Sequence, residues 1–330
     1  MRVSRASGLI LLLFVGCRAT DEDETYRFTR FSMGTVVDYT VVASDGEVAR
    51  AAVAAAHNEM ERVSRLLWED DTLSAVYGIN EAVDSLAVPQ EALEFLTRAQ
   101  IIARETGGAF DPTIKPVSDL YDFEAAEPMP PTASARTERL RSVGYERYRV
   151  GVDGYVVKDT AALAVAVGGI AKGYAVDRAV AILTESGVEA GIVNAGGDLY
   201  SFGSRAGKRW RIGVRDPDDA DDVVVVLNLQ DIAAATSGDY QQFFEHNGIR
   251  YHHILDPARG TPARGSRTVT VVASTTESAD ALATALFVLG AEAGLAMIDD
   301  MPDVEALVVD SAGVMHHSTG MPEYFDEPPF

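Results

Sequence analysis

Cysteine is nearly absent from this 330-residue chain: Cys17 stands alone, which excludes an intrachain disulfide. Positive charge is also scarce. Lys and Arg number 28 against 50 Asp and Glu, a net charge of −22. That argues against a nucleic-acid backbone as partner, because counterion release needs clustered cations. The apolar run from Gly8 to Val15 is too short for a membrane-spanning helix, which takes about 20 residues. Internal repeats and low-complexity linkers are missing as well. What remains, 47% hydrophobic and 24% charged, is the composition of an ordinary globular protein with a sizeable core. An acidic surface repels anionic nucleotides, so any phosphate site must be neutralised locally by a cation or by backbone N–H groups.

The position of the lone thiol gives it meaning. Arg2 and Arg5 precede the apolar run, and Cys17 follows it almost directly. That is the layout of a secretory signal, and the cysteine placed there resembles a bacterial lipobox, with Phe14 where Leu is usual. Residues 1–17 are therefore expected to be a lipoprotein signal peptide with Cys17 as the lipidated position. A plain signal peptide with an incidental cysteine is the alternative. Residues 18–26 read as an acidic tether and 27–330 as one catalytic domain. The expected location is exported and lipid-anchored to a bacterial membrane, facing the periplasm or the exterior.

Apolar spacing predicts helices over 45–67, 90–106, 173–185 and 278–289, with Ser44 or Asp45 capping the first and Ser278 the last. Strand-like runs cover 27–43, around the turn Ser32-Met33-Gly34-Thr35, and then 155–158, 164–167, 191–194, 210–214, 223–229, 251–255, 268–273 and 305–310. Residues 124–137, rich in Pro and Ala, read as a loop. Strands outnumber helices and fall in adjacent pairs, so the expected class is α+β with largely antiparallel sheets and packed helices.

The densest chemistry lies between Ala235 and Pro262, where a Thr-Ser-Gly turn, the pair His252-His253 and an Asp-Pro turn fall close together. Adjacent residues of a strand point to opposite faces, so at most one of the two histidines can serve a pocket. His316-His317 reads as surface. The segment GGIAKGYAVD, 168–177, opens a helix with glycines that let backbone N–H groups approach a phosphate. It is neither a Walker A loop nor G-x-G-x-x-G. Lys172 could ion-pair with a diphosphate, and a solvated lysine would explain it equally well. Asp280 and Thr284 are one helical turn apart among apolar neighbours. Such a pair suits a hard cation with oxygen ligands; an Asp serving the helix dipole is the alternative. Asn194 to Asp198 marks a tight turn. Trp68 is either a stacking plane for an aromatic ring or core filler.

Seven segments occur together in one order: SMGT at 32–35, GAFDPT at 108–113, GGIAKGYAVD at 168–177, NAGGD at 194–198, ATSGDY at 235–240, HHILDP at 252–257 and ADALATALFVLG at 279–290. As a set they resemble the ApbE-type FAD:protein FMN transferases, over Phe28 to about Phe325. The resemblance implies a single ApbE-like, T-fold-related domain. It implies an enzyme that binds FAD with Mg²⁺ at the diphosphate and transfers the FMN phosphoryl moiety to a Thr or Ser hydroxyl of a partner protein, releasing AMP. The partner would be a redox-complex subunit or a flavin reductase type of protein. By the same resemblance the metal ligands are Asp280, Thr284 and the carbonyl of Gly169. The flavin-nucleotide contacts are Met33, Trp68, Ala109, Phe110, Asp111, Lys172 and Ile254, and the functional histidine is His253. Several positions depart from the pattern, among them Asp122 for a Gly and Ala258-Arg259-Gly260 where Arg-Thr-Gly is common. Ala166 stands where such enzymes usually carry Asp, and Lys115 where Gly is usual.

Two other functions are consistent with the same residues. With water as acceptor, the pocket would be a metal-dependent FAD pyrophosphatase yielding FMN and AMP. Without turnover, it would be a flavin-binding lipoprotein.

Overall fold

The computed structural model describes residues 24–219 and 221–327. The expected signal peptide, Cys17 and the tether as far as residue 23 lie outside the described residues. The chain starts with a hairpin, β1 (Glu24–Ser32) and β2 (Thr35–Ala43), in register from Glu24 opposite Ala43 to Ser32 opposite Thr35. Its two-residue turn needs positive φ at both positions, which Gly34 supplies freely and Met33 adopts at φ 50°. A left-handed methionine is uncommon and marks this turn as held by its surroundings.

Helix α1 (Gly46–Leu67) follows, capped by Asp45, whose carboxylate accepts the Glu47 and Val48 N–H groups at 2.8 and 2.9 Å. Its buried stripe, from Ala49 through Ala56 and Met60 to Leu67, recurs at helical spacing. Helices α2 (Ala75–Glu81) and α3 (Gln90–Glu105) come next, then α4 (Ala171–Glu185). Strands β3 (Ala190–Ala195) and β4 (Asp198–Phe202) form a hairpin. A ribbon of β5 (Trp210–Arg215) and β6 (Val223–Leu229) is succeeded by β7 (Ile232–Gly238). Another hairpin joins β8 (Phe243–His246) to β9 (Ile249–His252) through Asn247-Gly248. The chain continues through β10 (Ser266–Ala273), α5 (Thr276–Leu289), α6 (Ala291–Asp299), β11 (Glu305–Asp310) and β12 (Met315–His317).

Eight strands form one sheet in the order β1-β2-β3-β4-β7-β10-β11-β12, every neighbouring pair antiparallel. The expected α+β class with antiparallel sheet is what the structure has. One face carries the helices: α1 packs on α4, α4 on α5, and α5 on β7 and β10. Side chains alternate accordingly, with Val37, Tyr39 and Val41 in the helix-side core and Leu199, Ala234 and Val272 in a second core under the β5–β6 ribbon.

Several expectations need correction. Residues 164–167 are not a strand: they run as a loop without a ladder partner. The predicted strand 251–255 is interrupted, since β9 ends at His252 and pairing resumes at Leu255–Asp256 with Thr261–Pro262. The cap of α5 is Thr275, not Ser278, and the supposed loop 124–137 runs into a helix over Ala133–Leu140. Among the described residues, no helix is long and apolar enough to cross a membrane.

Candidate active site

A cavity of about 240 Å³ opens where the loops around α4, α5, β3–β4 and β9 converge. Its position follows from Gly173, in the first turn of α4. A Cβ there would collide with the Thr276 carbonyl, so the glycine lets the start of α4 lie directly against the start of α5. Two carboxylates fasten the contact. Asp280, on α5, accepts the Gly173 N–H at 3.1 Å, and Asp177, on α4, accepts the Thr276 and Glu277 N–H groups at 2.8 and 2.9 Å. Asp177 thus caps a helix distant in sequence, which local capping rules would not reveal.

The same arrangement carries Lys172 into the cavity. Its ammonium lies 2.6 Å from Asp198 and 3.5 Å from Asp280. Burial alone would lower the lysine pKa, but the two carboxylates hold it above the ordinary value. Burial is also the main cause that raises Asp280. Repulsion from Asp198 adds to it, while Lys172 and the Gly173 N–H oppose it. Two carboxylates facing one ammonium leave an excess negative charge in a protected site, a condition that a further cation relieves.

Thr284 lies one turn beyond Asp280, against Gly169: a Cβ on that glycine would stand 3.0 Å from the Thr284 hydroxyl oxygen. Carboxylate, hydroxyl and main chain therefore meet at one wall of the cavity, which Gly169, Asp280 and Thr284 all line. Oxygen donors of this kind fit a hard divalent ion completed by water and phosphate. His, Cys, Asp and Glu do not cluster in threes suited to a metal among the described residues, so the main chain and Thr284 would have to complete the ligand set.

The histidine pair divides between core and cavity, although the strand itself ends at His252. His252 points to the core, donating from Nε2 to the Ala263 carbonyl at 2.8 Å and packing edge-on against Phe287. His253 lines the cavity. Its Nδ1 lies 3.3 Å from the Gln242 carbonyl, an oxygen that can only accept, so the proton sits on Nδ1 and Nε2 keeps its lone pair. Burial pushes its pKa down to about 4. At neutral pH it is a neutral imidazole whose Nε2 can accept a proton.

Of the other expected contacts, Ala109, Phe110, Asp111, Lys172 and Ile254 line the cavity. The Asp111 carboxylate is engaged in structure, accepting Thr113 N–H and Oγ1–H at 2.8 and 2.6 Å and Tyr145 N–H at 2.9 Å. Met33 and Trp68 are not among the lining residues. They sit beside it: Trp68 precedes the lining residue Glu69, and its ring would lie 3.5 Å from a Cβ on Gly34, next to Met33.

Three side chains escaped the sequence reading. Asp198 appeared there only as the end of a turn, yet it is the nearest partner of Lys172. Asn80 clasps Val165 from both sides, donating to its carbonyl at 3.0 Å and accepting its N–H at 2.7 Å. Glu69 accepts the Val167 N–H at 2.7 Å, and burial raises its pKa against that bond and Lys115. The wall beside Ala166 therefore does carry a carboxylate, brought from the end of α1. Lys115 itself lies outside the lining and pairs with Asp119 at 3.0 Å and Asp70 at 3.6 Å. Nothing near Glu69 in the sequence signals its position; only the fold does.

A glycine-spaced helix pair that presents a lysine, two carboxylates and a neutral histidine to one cleft defines a site for a phosphorylated ligand. Comparison with known proteins gives that class its family. The model of the ApbE family matches residues 33–308. The FAD:protein FMN transferase of Treponema pallidum is 31% identical over 282 residues, 78% of each chain. The crystal structure of the ApbE protein of Thermotoga maritima superposes with a TM-score of 0.86 at 33% identity, covering 92% of this chain and 100% of that one. The flavinyl transferase ApbE of Pseudomonas stutzeri superposes at 0.82 with 28% identity, covering 93% and 98%. This chain belongs to the ApbE family.

Proposed function

We propose that this chain transfers FMN from FAD to a Ser or Thr hydroxyl of an acceptor protein, releasing AMP. In this reading FAD lies along Met33, Trp68, the Ala109-Phe110-Asp111 turn, Lys172 and Ile254, with its diphosphate beside Lys172. The hydroxyl oxygen of the acceptor forms a bond to the FMN phosphorus as the phosphoanhydride bond to AMP breaks. The hydroxyl proton passes to Nε2 of His253, and AMP leaves with the bridging oxygen. Asp280, Thr284 and the Gly169 carbonyl would hold Mg²⁺, which supplies charge neutralisation at the diphosphate. Lys172 and the α4 start orient the same phosphates. Positioning and charge compensation account for most of the catalysis in such a transfer.

The observation that carries this reading is one cleft lined by Gly169, Asp280, Thr284 and His253, in which Thr284 lies against Gly169 and His253 keeps a free Nε2. The family membership and the names of the relatives support it. We further propose that Cys17 carries a lipid anchor and that the domain faces the periplasm or exterior, where its acceptor would be a redox-complex subunit or a flavin reductase. Incubation with FAD, Mg²⁺ and such an acceptor domain should add the mass of the FMN phosphoryl moiety to the acceptor and release one AMP for each addition. FMN and AMP appearing without modified acceptor would instead establish a pyrophosphatase.

A further inference from the structure

We infer that the acceptor protein docks in a groove on the helix-free face of the large sheet, between strand β2 and the β5–β6 ribbon. This rests on the transferase reading above. The groove, about 390 Å³, is lined by Leu199 and Ala234 of the sheet, Ile212 and Leu227 of the ribbon, and Val36 of β2. It arises because the ribbon covers only part of that face. Val37, Tyr39 and Val41 of β2 turn into the helix-side core, so Val36 and Asp38 are left on the outer surface.

Three observations select the acceptor as occupant. The groove is continuous with the active-site cavity, since Gly196, Thr236 and Gln241 line both. The barrier between them is low: it is the β3–β4 turn, whose two residues are the glycines 196 and 197, without side chains and both at positive φ. A chain lying in the groove can therefore extend a Ser or Thr over this turn toward His253. Finally, the groove is almost free of net charge on a molecule of net charge −22. Its charged members, Asp38 and Arg215, are already engaged, Asp38 by the Thr29 hydroxyl at 2.6 Å and Arg215 over the Tyr240 ring at 5.0 Å. The apolar surface extends outward through Val36 and its cross-strand partner Phe31, which are 49% and 68% exposed. Surface of this kind, beside a site that must receive a macromolecule, fits an extended, uncharged segment with apolar side chains flanking the hydroxyl.

The test is Val36→Arg and Ile212→Arg, singly, with Val36→Ala and Ile212→Ala as conservative partners. The probe is a redox-subunit acceptor domain bearing one modifiable Thr. The Arg variants should raise KM for the acceptor about tenfold or more, leave FAD affinity unchanged, and show kcat close to wild type at saturating acceptor, with Tm unchanged for the exposed Val36→Arg. The Ala variants should restore most of the loss. An unchanged acceptor KM in both Arg variants overturns the groove while leaving the transferase reading intact. A parallel loss of FAD affinity also overturns it, by assigning the groove to the flavin. Absence of FMN transfer by the wild-type chain removes both together.

Discussion

Lys172 joins the stability of this fold to its chemistry, and Lys172→Met separates them. Methionine keeps the length and apolar stem of the lysine but leaves Asp198 and Asp280, each 5% exposed, facing one another without their cation. Removing one partner of a buried ion pair costs about 3–5 kcal/mol. The lysine side chain retains 27% exposure, so the low end, about 3 kcal/mol at pH 8, is the expected loss. The pH dependence has a definite sign. Asp280 already titrates above an ordinary carboxylate in the fold, and loss of the lysine raises it further. A carboxylate whose folded pKa lies above its unfolded value destabilises the fold as pH rises through that interval, and ceases to do so where both states are protonated. The penalty should therefore shrink as the pH is lowered below the folded pKa toward the ordinary carboxylate range. Urea denaturation at a series of pH values from 8 to 4.5 measures this directly. A loss below about 1 kcal/mol at pH 8, or one independent of pH, would refute the buried-pair account.

Further predictions concern two positions. His253→Ala should lower kcat for transfer by about 10²–10⁴-fold while leaving FAD affinity near wild type; equal losses in both would make it a binding residue. In the wild type, kcat should stay level as pH falls through 6.5 and decline only toward about 4, where His253 protonates; a decline centred near 6.5 would contradict its burial. The depressed imidazole pKa should also destabilise the fold progressively as pH falls from 6.5 toward about 4, because the unfolded chain takes up that proton first. Gly173→Ala should lower stability by about 1–3 kcal/mol, as overpacking against the Thr276 carbonyl does. FAD turnover should fall with it, since the start of α4 must retreat from Asp280. Thermal denaturation together with AMP release from FAD would expose a variant that keeps both.

Much of this was legible in residues alone, for physical reasons that differ by element. The stripe of α1, its Asp45 cap and the Met33-Gly34 turn are local patterns, and they appear where expected. The clustering of Gly169, Lys172, His253, Asp280 and Thr284 is not local, and came from seven segments in a fixed order. Missed were features that depend on where remote pieces land. The run 164–167 has strand-like residues but no neighbouring strand to complete a ladder. The cap of α5 is shared with Asp177, a helix away. Glu69 follows α1 without any motif and supplies a carboxylate beside Ala166. Met33 and Trp68 stand next to the cavity wall and not in it.

The loop from Leu163 to Gly169 has a consequence for how the protein ages and evolves. Lacking sheet partners, it is suspended from the Asn80 amide, the Glu69 carboxylate and the Pro112 carbonyl, which accepts the Ala166 N–H at 2.7 Å. These three anchors belong to separate stretches of chain, and the Asn80 stretch does not line the cavity. Damage to a distant anchor, such as deamidation of Asn80, would slacken the oxygen donor at Gly169 and erode catalysis while the molecule stayed folded.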